Sequence, residues 1–89
     1  MEIPRRNIIR EQEFEEQLIA LLVNEEEADQ FTEAAEILLP TYPDAGLPAS
    51  QDGSIWYLPM NTVRGNRVSL FYTFDENAVV FLAILPSDD

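Results

Sequence analysis

The chain contains no cysteine, no histidine and no lysine. Without cysteine there is no disulfide framework, thiolate nucleophile or cysteine-ligated metal. Without histidine the commonest general base and the commonest metal ligand are both missing, so Ser-His-Asp and Cys-His chemistry are excluded. The five basic residues are all arginine and face 17 acidic ones, for a formal net charge of -12 at pH 7. This balance disfavours general nucleic-acid binding, which depends on neutralising phosphates.

Long apolar runs are missing as well. The longest, Ala78 to Leu85, is far shorter than a membrane span, and Met1 to Arg10 lacks the apolar core of a signal peptide. We therefore expect a soluble, cytoplasmic protein with no membrane contact and no bound cofactor. The acidic surface has two interpretations: it provides solubility, or it suits a basic partner by imitating nucleic acid.

Length limits the organisation of the chain. With 89 residues there is room for one domain, residues 1 to 89, and the 46% hydrophobic content is that of a folding chain. A domain this short buries only about 60 to 65% of its unfolded surface, so its stability is marginal. A protein partner or a homodimer would supply additional burial.

The first half of the chain predicts a strand and two helices. Arg5 to Arg10, with Ile8 and Ile9 at its centre, is typical of an edge strand. Helical spacing then places Phe14, Leu18, Leu21 and Leu22 on one face of a helix from Gln12 to Val23. A second helix begins at an Asn24 cap followed by Glu27, and it ends before Pro40. Its apolar stripe is Ala28, Phe31, Ala35 and Leu38.

The second half predicts a loop and three strands. Proline and glycine make Thr41 to Gly53 a surface loop, and Ile55 to Met60 is a strand in which Pro59 indicates an edge. After a turn at Arg64-Gly65-Asn66, Arg67 to Phe74 alternates, with Val68, Leu70, Tyr72 and Phe74 on one face. Asp75-Glu76-Asn77 closes a hairpin in which Asn77 takes the left-handed conformation. The apolar run Ala78 to Leu85 is then a central strand covered on both faces.

The predicted fold class is therefore α+β: an N-terminal strand, a helical hairpin, and a three-stranded antiparallel meander on which the hairpin packs.

The same residues resemble the RelE/ParE superfamily of bacterial toxins, which includes plasmid-stabilisation proteins. The matching sequence is Gly65-Asn66-Arg67-Val68, the pair Phe71-Tyr72, the acidic turn Asp75-Glu76, and Ala78 to Leu82; Ile8-Ile9-Arg10 followed by Phe14 is similar too. The resemblance covers nearly the whole chain in order of elements, although its specific sequence is confined to about 20 C-terminal residues.

For the RelE branch the resemblance implies ribosome-dependent cleavage of messenger RNA, with Arg67 at the position of an arginine that stabilises negative charge. The chain departs from the family where its nucleases carry a late basic residue and a tyrosine or histidine, because Pro86-Ser87-Asp88-Asp89 stands there. Ten carboxylates and no basic residue lie between Glu11 and Leu39, a surface that repels ribosomal RNA. The ParE branch acts on DNA gyrase by protein contact and needs no nuclease site, so it remains open.

Three groups of residues are candidates for chemistry or binding. Arg64 and Arg67 flank a turn and form an anion or catalytic site with the amides of Gly65 and Asn66, or they pair with neighbouring carboxylates. Glu25 to Glu27 with Asp29 offers oxygen ligands, but no EF-hand loop surrounds them, so we predict no metal site. A sugar cleft with paired carboxylates is excluded by the short chain. The aromatic residues that are candidates for anchoring a partner, or for core packing, are Trp56, Tyr57, Phe71 and Tyr72.

Three functions follow as hypotheses. The first is a RelE/ParE-like protein that acts by contact with an antitoxin or target, without a complete ribonuclease site. The second is an acidic inhibitor or immunity protein that blocks a basic nucleic-acid-binding site by charge mimicry, with affinity that falls as salt rises. The third is a residual ribonuclease that uses Arg67.

Overall fold

A computed structural model describes residues 5–21, 25–61 and 65–87. Strand β1 (Asn7–Arg10) is followed by helices α1 (Gln12–Leu21) and α2 (Glu25–Leu38). A short 3-10 helix (Pro43–Ala45) leads into β2 (Leu47–Pro48), β3 (Trp56–Asn61), β4 (Arg67–Phe74) and β5 (Ala78–Pro86). The α+β class is confirmed, and the observed bounds of β4 are the predicted ones. The Asn24 cap and the predicted apolar positions Leu22 and Ala28 lie outside the residues whose side chains are described.

The sheet has five strands in the order β1-β5-β4-β3-β2. Strands β3, β4 and β5 form consecutive antiparallel pairs, but β1 runs parallel to β5 and β2 adds a fifth strand beside β3. The sheet is therefore mixed, and the predicted RelE/ParE-like topology of an N-terminal strand, a helical hairpin and a three-stranded antiparallel meander is not confirmed. The neighbour of β1 is β5, and the chain between them runs through both helices and strands β2 to β4, a connection long enough to permit parallel pairing. The prediction that β1 is an edge strand is confirmed.

Both helices pack on one face of the sheet. That face carries Val68, Leu70 and Tyr72 from β4 and Val79, Phe81 and Ile84 from β5, all buried. Phe14 and Leu18 of α1 pack against this face, as do Phe31 and Ala35 of α2 and Leu39, the residue that follows α2. The prediction of Leu38 in this stripe is wrong: Leu38 is 37% exposed, whereas Leu39 is fully buried and its amide donates to Ala35 O.

A bulge in β5 keeps its buried side chains facing the helices. Tyr72 pairs with Phe81 and Phe71 pairs with Ala83, so Leu82 is an extra residue between them. The bulge shifts the alternation by one, and Ile84 therefore faces the core as Val79 and Phe81 do. The Gln17 side chain accepts a hydrogen bond from the Ile84 amide at 2.9 Å, which ties α1 to the strand just after the bulge.

The structure differs from the predictions for the position of β5, the β4–β5 turn and the loop before β3. Strand β5 lies inside the sheet, but β4 is its central strand; the helices cover one face of β5 as predicted, and among the described residues nothing provides the predicted cover on its other face. Asn77 does not take a left-handed conformation; the turn is closed instead by Asp75 Oδ1, which accepts hydrogen bonds from the amides of Asn77 and Ala78. The predicted loop from Thr41 to Gly53 contains the 3-10 helix and β2.

The 3-10 helix is fixed to the sheet by Tyr72. Its hydroxyl donates to Pro43 O at 2.6 Å and accepts from the Gly46 amide at 3.1 Å. A Cβ on Gly46 would lie 2.4 Å from Tyr57 O and 2.6 Å from the Tyr72 hydroxyl, so only glycine allows the chain to approach this closely. This anchor positions β2, which pairs with Trp56 and Tyr57 but stops short of Pro59. Pro59 thus lies in a part of β3 beyond the pairing with β2, as its sequence predicts.

Candidate protein-binding face

The face of the sheet opposite the helices is here called the open face. Strand alternation and register place the following residues on it: Asn7, Ile9, Leu47, Tyr57, Pro59, Asn61, Arg67, Ser69, Phe71, Thr73, Val80, Ala83 and Leu85. In the described parts of the chain, both helices pack on the other side. No second layer among the described residues covers the open face.

The exposed part of this face is largely apolar. Ile9 is 49% exposed, Leu47 50% and Leu85 44%. Tyr57 and Phe71 are half-buried neighbours on adjacent strands, and their ring centroids are 5.9 Å apart. Exposed apolar side chains grouped on one face are a common feature of contact surfaces, and aromatic residues are frequent anchors of such contacts.

Charge is distributed unevenly between the two sides of the molecule. Arg67 is the one charged side chain among the described residues of the open face, although the whole chain carries 17 carboxylate side chains. The helical layer has the opposite character: its exposed carboxylates include Glu13, Glu16, Asp29 and Glu33. The open face is thus a surface of low charge on a chain of net charge -12 at pH 7.

A depression of about 800 Å³ lies at one end of the open face. Tyr57, Phe71 and Arg67 line it from the strands, and Pro48 and Ala49 line it from β2 and the residue that follows. None of its lining residues is a carboxylate. Its open, partly apolar lining suits a side chain of a partner.

The four predicted aromatic anchors separate into two pairs. Tyr57 and Phe71 lie on the open face, whereas Trp56 and Tyr72 face the helices. Trp56 packs against Phe74 with centroids 5.7 Å apart and donates its indole N–H to Gly53 O at 2.9 Å. Tyr72 is fully buried, and its burial raises the pKa of its hydroxyl. Trp56 and Tyr72 are therefore structural residues.

The predicted arginine pair is only half described, because Arg64 lies outside the described residues. Arg67 begins β4 on the open face, and its carbonyl accepts the Ser87 amide at 3.0 Å. Nearby, the hydroxyls of Ser69 and Ser87 are 2.8 Å apart. Gly65, which precedes this strand, has φ 85, a conformation that favours glycine. The structure therefore places Arg67 beside hydroxyl groups and the aromatic pair, at the rim of the depression.

Arg10 is a structural residue that the sequence interpretation did not single out. It lies on the helix-facing side of β1, where its guanidinium forms ion pairs with Glu15 and Glu36 and donates to Thr32 Oγ1 at 3.2 Å. Burial by itself lowers the pKa of Arg10, but the hydrogen bonds and charges of Glu36 and Glu15 outweigh it and raise that pKa. The sequence contains a signal for this role, because Ile8 and Arg10 are two residues apart in a strand and therefore face the same side, towards the acidic helices.

Among the described residues, no three acidic side chains come together in a way that would hold a metal ion. The side chains of Glu25, Glu26 and Glu27 lie outside that description. No helix in the described parts of the chain has both the length and the apolar character needed to cross a membrane.

Comparison with protein-family models, with curated proteins and with solved structures finds no match to this chain.

Proposed function

We propose that this chain is a RelE/ParE-like toxin-antitoxin protein that acts in the cytoplasm by protein–protein contact, without a complete ribonuclease site, and that the open face is its contact surface. The observation that carries the proposal is the Tyr57–Phe71 pair on a sheet face that lacks a covering layer among the described residues. The family part of the proposal rests on the resemblance in sequence, and the order of β1, α1 and α2 before the antiparallel strands β3, β4 and β5 is compatible with it, although the short β2 is an addition.

The energetic argument concerns the apolar area of the open face. Large apolar side chains such as Leu47 and Leu85 are about half exposed, and burying each square ångström of apolar surface stabilises by roughly 25 cal/mol. Because the described residues of this face include no carboxylate, a partner covers it without removing a carboxylate from water, and Arg67 at one end is the one described charge that it meets. The aromatic pair then supplies the central anchor that contact hot spots require.

The test of this proposal compares one substitution on each side of the molecule. Phe71→Asp places a charge on the open face, and Ile19→Asp places the same charge on α1, where Ile19 is 72% exposed. Induction of the wild-type chain is expected to arrest growth, with relief by the product of a neighbouring small gene and co-purification of that product. Phe71→Asp should abolish both effects and Ile19→Asp should preserve them.

A second substitution protects this test against loss of folding. Leu85→Asp changes a residue of the open face that is 44% exposed, so it removes the contact without emptying the core. Circular dichroism of each variant establishes that the chain is folded. If folded Phe71→Asp and Leu85→Asp variants retain the partner and the growth phenotype, the open face is not the contact surface and the proposal is wrong.

A second candidate function is favoured by the acidic helical layer. Exposed Glu13, Glu16 and Glu33 on one side of the molecule fit an inhibitor or immunity protein that imitates nucleic acid and blocks a basic partner. Here Glu13→Gln/Glu33→Gln should weaken binding and Phe71→Asp should not. Affinity should also fall several-fold between about 50 and 200 mM salt, because exposed charges are screened over about 8 to 10 Å.

A further inference from the structure

Within residues 5–21, 25–61 and 65–87, acidic residues border the open face at the end that carries the β4–β5 turn. The β4–β5 turn carries Asp75 and Glu76, both exposed. Asp52 lies in the loop before β3, and Thr73 Oγ1, on the open face, donates to Ser54 O of the same loop at 2.6 Å. Because Trp56 pairs with Tyr72, this loop and the β4–β5 turn lie at the same end of the sheet. We call Asp52, Asp75 and Glu76 the acidic rim.

Resting on the proposed function, we infer that the partner contributes an amphipathic helix that lies along the open face, with its apolar stripe on Tyr57, Phe71 and Leu85 and basic residues over the acidic rim. A helix is the element that covers the free face of a sheet in layered folds, as α1 and α2 do on the other side. Helix binding to an apolar surface is also a common mode of peptide recognition.

The size of the open face sets the length of that helix. Strand β4 has eight residues, so at about 3.4 Å per residue it spans roughly 27 Å. A helix rises about 1.5 Å per residue and needs roughly 18 residues to cover this length. The sheet has five strands spaced about 4.8 Å apart, so one helix of about 10 Å diameter covers only its central strands. Partner residues that flank the helix would contact the edge strands.

The carboxylates of the acidic rim are held in place by their own turns. Asp52 Oδ1 accepts hydrogen bonds from Ser50 Oγ at 2.7 Å, from the Ser54 amide at 3.0 Å and from Ser54 Oγ at 2.7 Å. These bonds lower the pKa of Asp52 to about 2. The amides of Asn77 and Ala78 likewise bind Asp75 Oδ1 and lower the pKa of Asp75. Both aspartates are therefore ionised at neutral pH and present a fixed orientation to a partner.

Arginines near this end lie on the other side of the sheet. The Arg6 guanidinium lies 5.9 Å above the centroid of the Phe74 ring, which faces the helices, and Arg6 Nε donates to Asp75 O at 2.5 Å. Arg5 and Arg6 line a groove together with Glu33 and Glu36 of α2. The charge of Arg6 contributes to the lowered pKa of Asp75, so Arg6 partly offsets this carboxylate. Asp52 and Glu76 are the other two acidic residues of the rim, and a basic partner segment complements them.

The experiment uses two synthetic helical peptides of about 18 residues, labelled with fluorescein. They share one leucine stripe at helical spacing, and one carries three lysines at an end where the other carries three glutamates. Fluorescence anisotropy measures their affinity for the full chain. The lysine peptide should bind about ten-fold more tightly, and Phe71→Asp should abolish the binding of both.

Two matched double variants distinguish the contribution of the acidic rim to peptide binding from that of the net charge of the chain. Asp52→Asn/Glu76→Gln and Glu13→Gln/Glu33→Gln remove the same charge from exposed positions, the first pair at the rim and the second on the helices. The rim variant should weaken the lysine peptide about three- to ten-fold, whereas the helix variant should change it less than about two-fold. Equal weakening by both variants would overturn the inference, because non-specific attraction would then account for the preference.

The remaining outcomes distinguish this inference from the proposed function. If both peptides bind equally well and Phe71→Asp abolishes binding, the open face is a contact surface but the basic helix is wrong. If neither peptide binds, the helical occupant is wrong, whether or not Phe71→Asp releases the natural partner. If the chain alone forms dimers that Phe71→Asp dissociates in sedimentation experiments, a second copy covers the face and the inference is overturned. The proposed function itself is contradicted only if the Phe71→Asp variant still binds the natural partner and still gives the growth phenotype.

Discussion

Replacing Tyr72 by phenylalanine should release the segment that holds one margin of the open face. The Tyr72 side chain is fully buried and its hydroxyl bonds Pro43 O at 2.6 Å and the Gly46 amide at 3.1 Å. The substitution keeps the ring and removes both bonds. The Pro43 carbonyl is then left without its partner in a buried setting, and the amide of half-buried Gly46 is left to find water.

The magnitude follows from those two groups. A buried polar group that loses its partner costs about 1 to 3 kcal/mol, and a group that water can reach costs less, so we expect a loss of about 2 kcal/mol. For a domain of this size each kcal/mol lowers the melting temperature by about 4 to 8 °C, which gives a fall of about 8 to 16 °C. Urea denaturation followed by circular dichroism measures the free energy of unfolding directly.

The control is Tyr42→Phe, which removes the same hydroxyl from a side chain that is 56% exposed. It should change the free energy of unfolding by less than about 0.5 kcal/mol. Hydrogen exchange at the Gly46 amide should accelerate in Tyr72→Phe and not in Tyr42→Phe. If Tyr72→Phe is as stable as the wild type, or if the two variants are equally destabilised, the hydroxyl does not anchor this segment and the reasoning is refuted.

Three further predictions test other parts of the structure. Arg10→Met should lower the free energy of unfolding by about 1 to 2 kcal/mol in urea denaturation, because it leaves the partly buried carboxylates of Glu15 and Glu36 unpaired and Thr32 without this donor. Arg5→Met, at an exposed position, should change it by less than about 0.5 kcal/mol. Gly46→Ala should be destabilised by more than about 2 kcal/mol, since the new Cβ meets backbone; a melting temperature equal to that of the wild type would contradict the close approach. Asp52 should titrate in carbon-detected NMR with a midpoint near pH 2. Because its pKa is lower in the folded than in the unfolded chain, its stabilising contribution is present above about pH 4 and is lost as pH falls toward 2, and Asp52→Asn should remove that pH dependence.

Local periodicity predicted much of the fold. The alternation of Val68, Leu70 and Tyr72 identified the buried face of β4, and the spacing of Phe14 and Leu18 identified that of α1. These patterns succeed because burial on one side of an element imposes its period on the sequence. The direction in which a strand pairs does not change its hydrophobic pattern, so the parallel pairing of β1 with β5 was not predicted. Strand β2 was missed because it has only two residues and is held by the distant Tyr72 hydroxyl.

The site was only partly predictable for the same reason. All four aromatic candidates are close in sequence or on paired strands, yet Trp56 and Tyr57 are consecutive in one strand and therefore point to opposite faces. The apolar run of β5 predicted that both faces of this strand are covered. The length of such a run does not reveal whether the second face is covered by the same chain or by a partner. Which face stays open depends on where the two helices pack, a tertiary contact that one sequence does not encode locally.

The most direct test of the open face as the binding surface is an amide chemical-shift titration of the labelled chain with its captured partner. We predict shifts at Tyr57, Phe71 and Leu85 and at neighbouring residues of β3, β4 and β5, with the exposed α1 and α2 residues Glu13 and Glu33 unchanged. Shifts confined to Glu13, Glu33 and the rest of the helical layer, with the three open-face residues unmoved, would contradict this account and favour the acidic inhibitor instead.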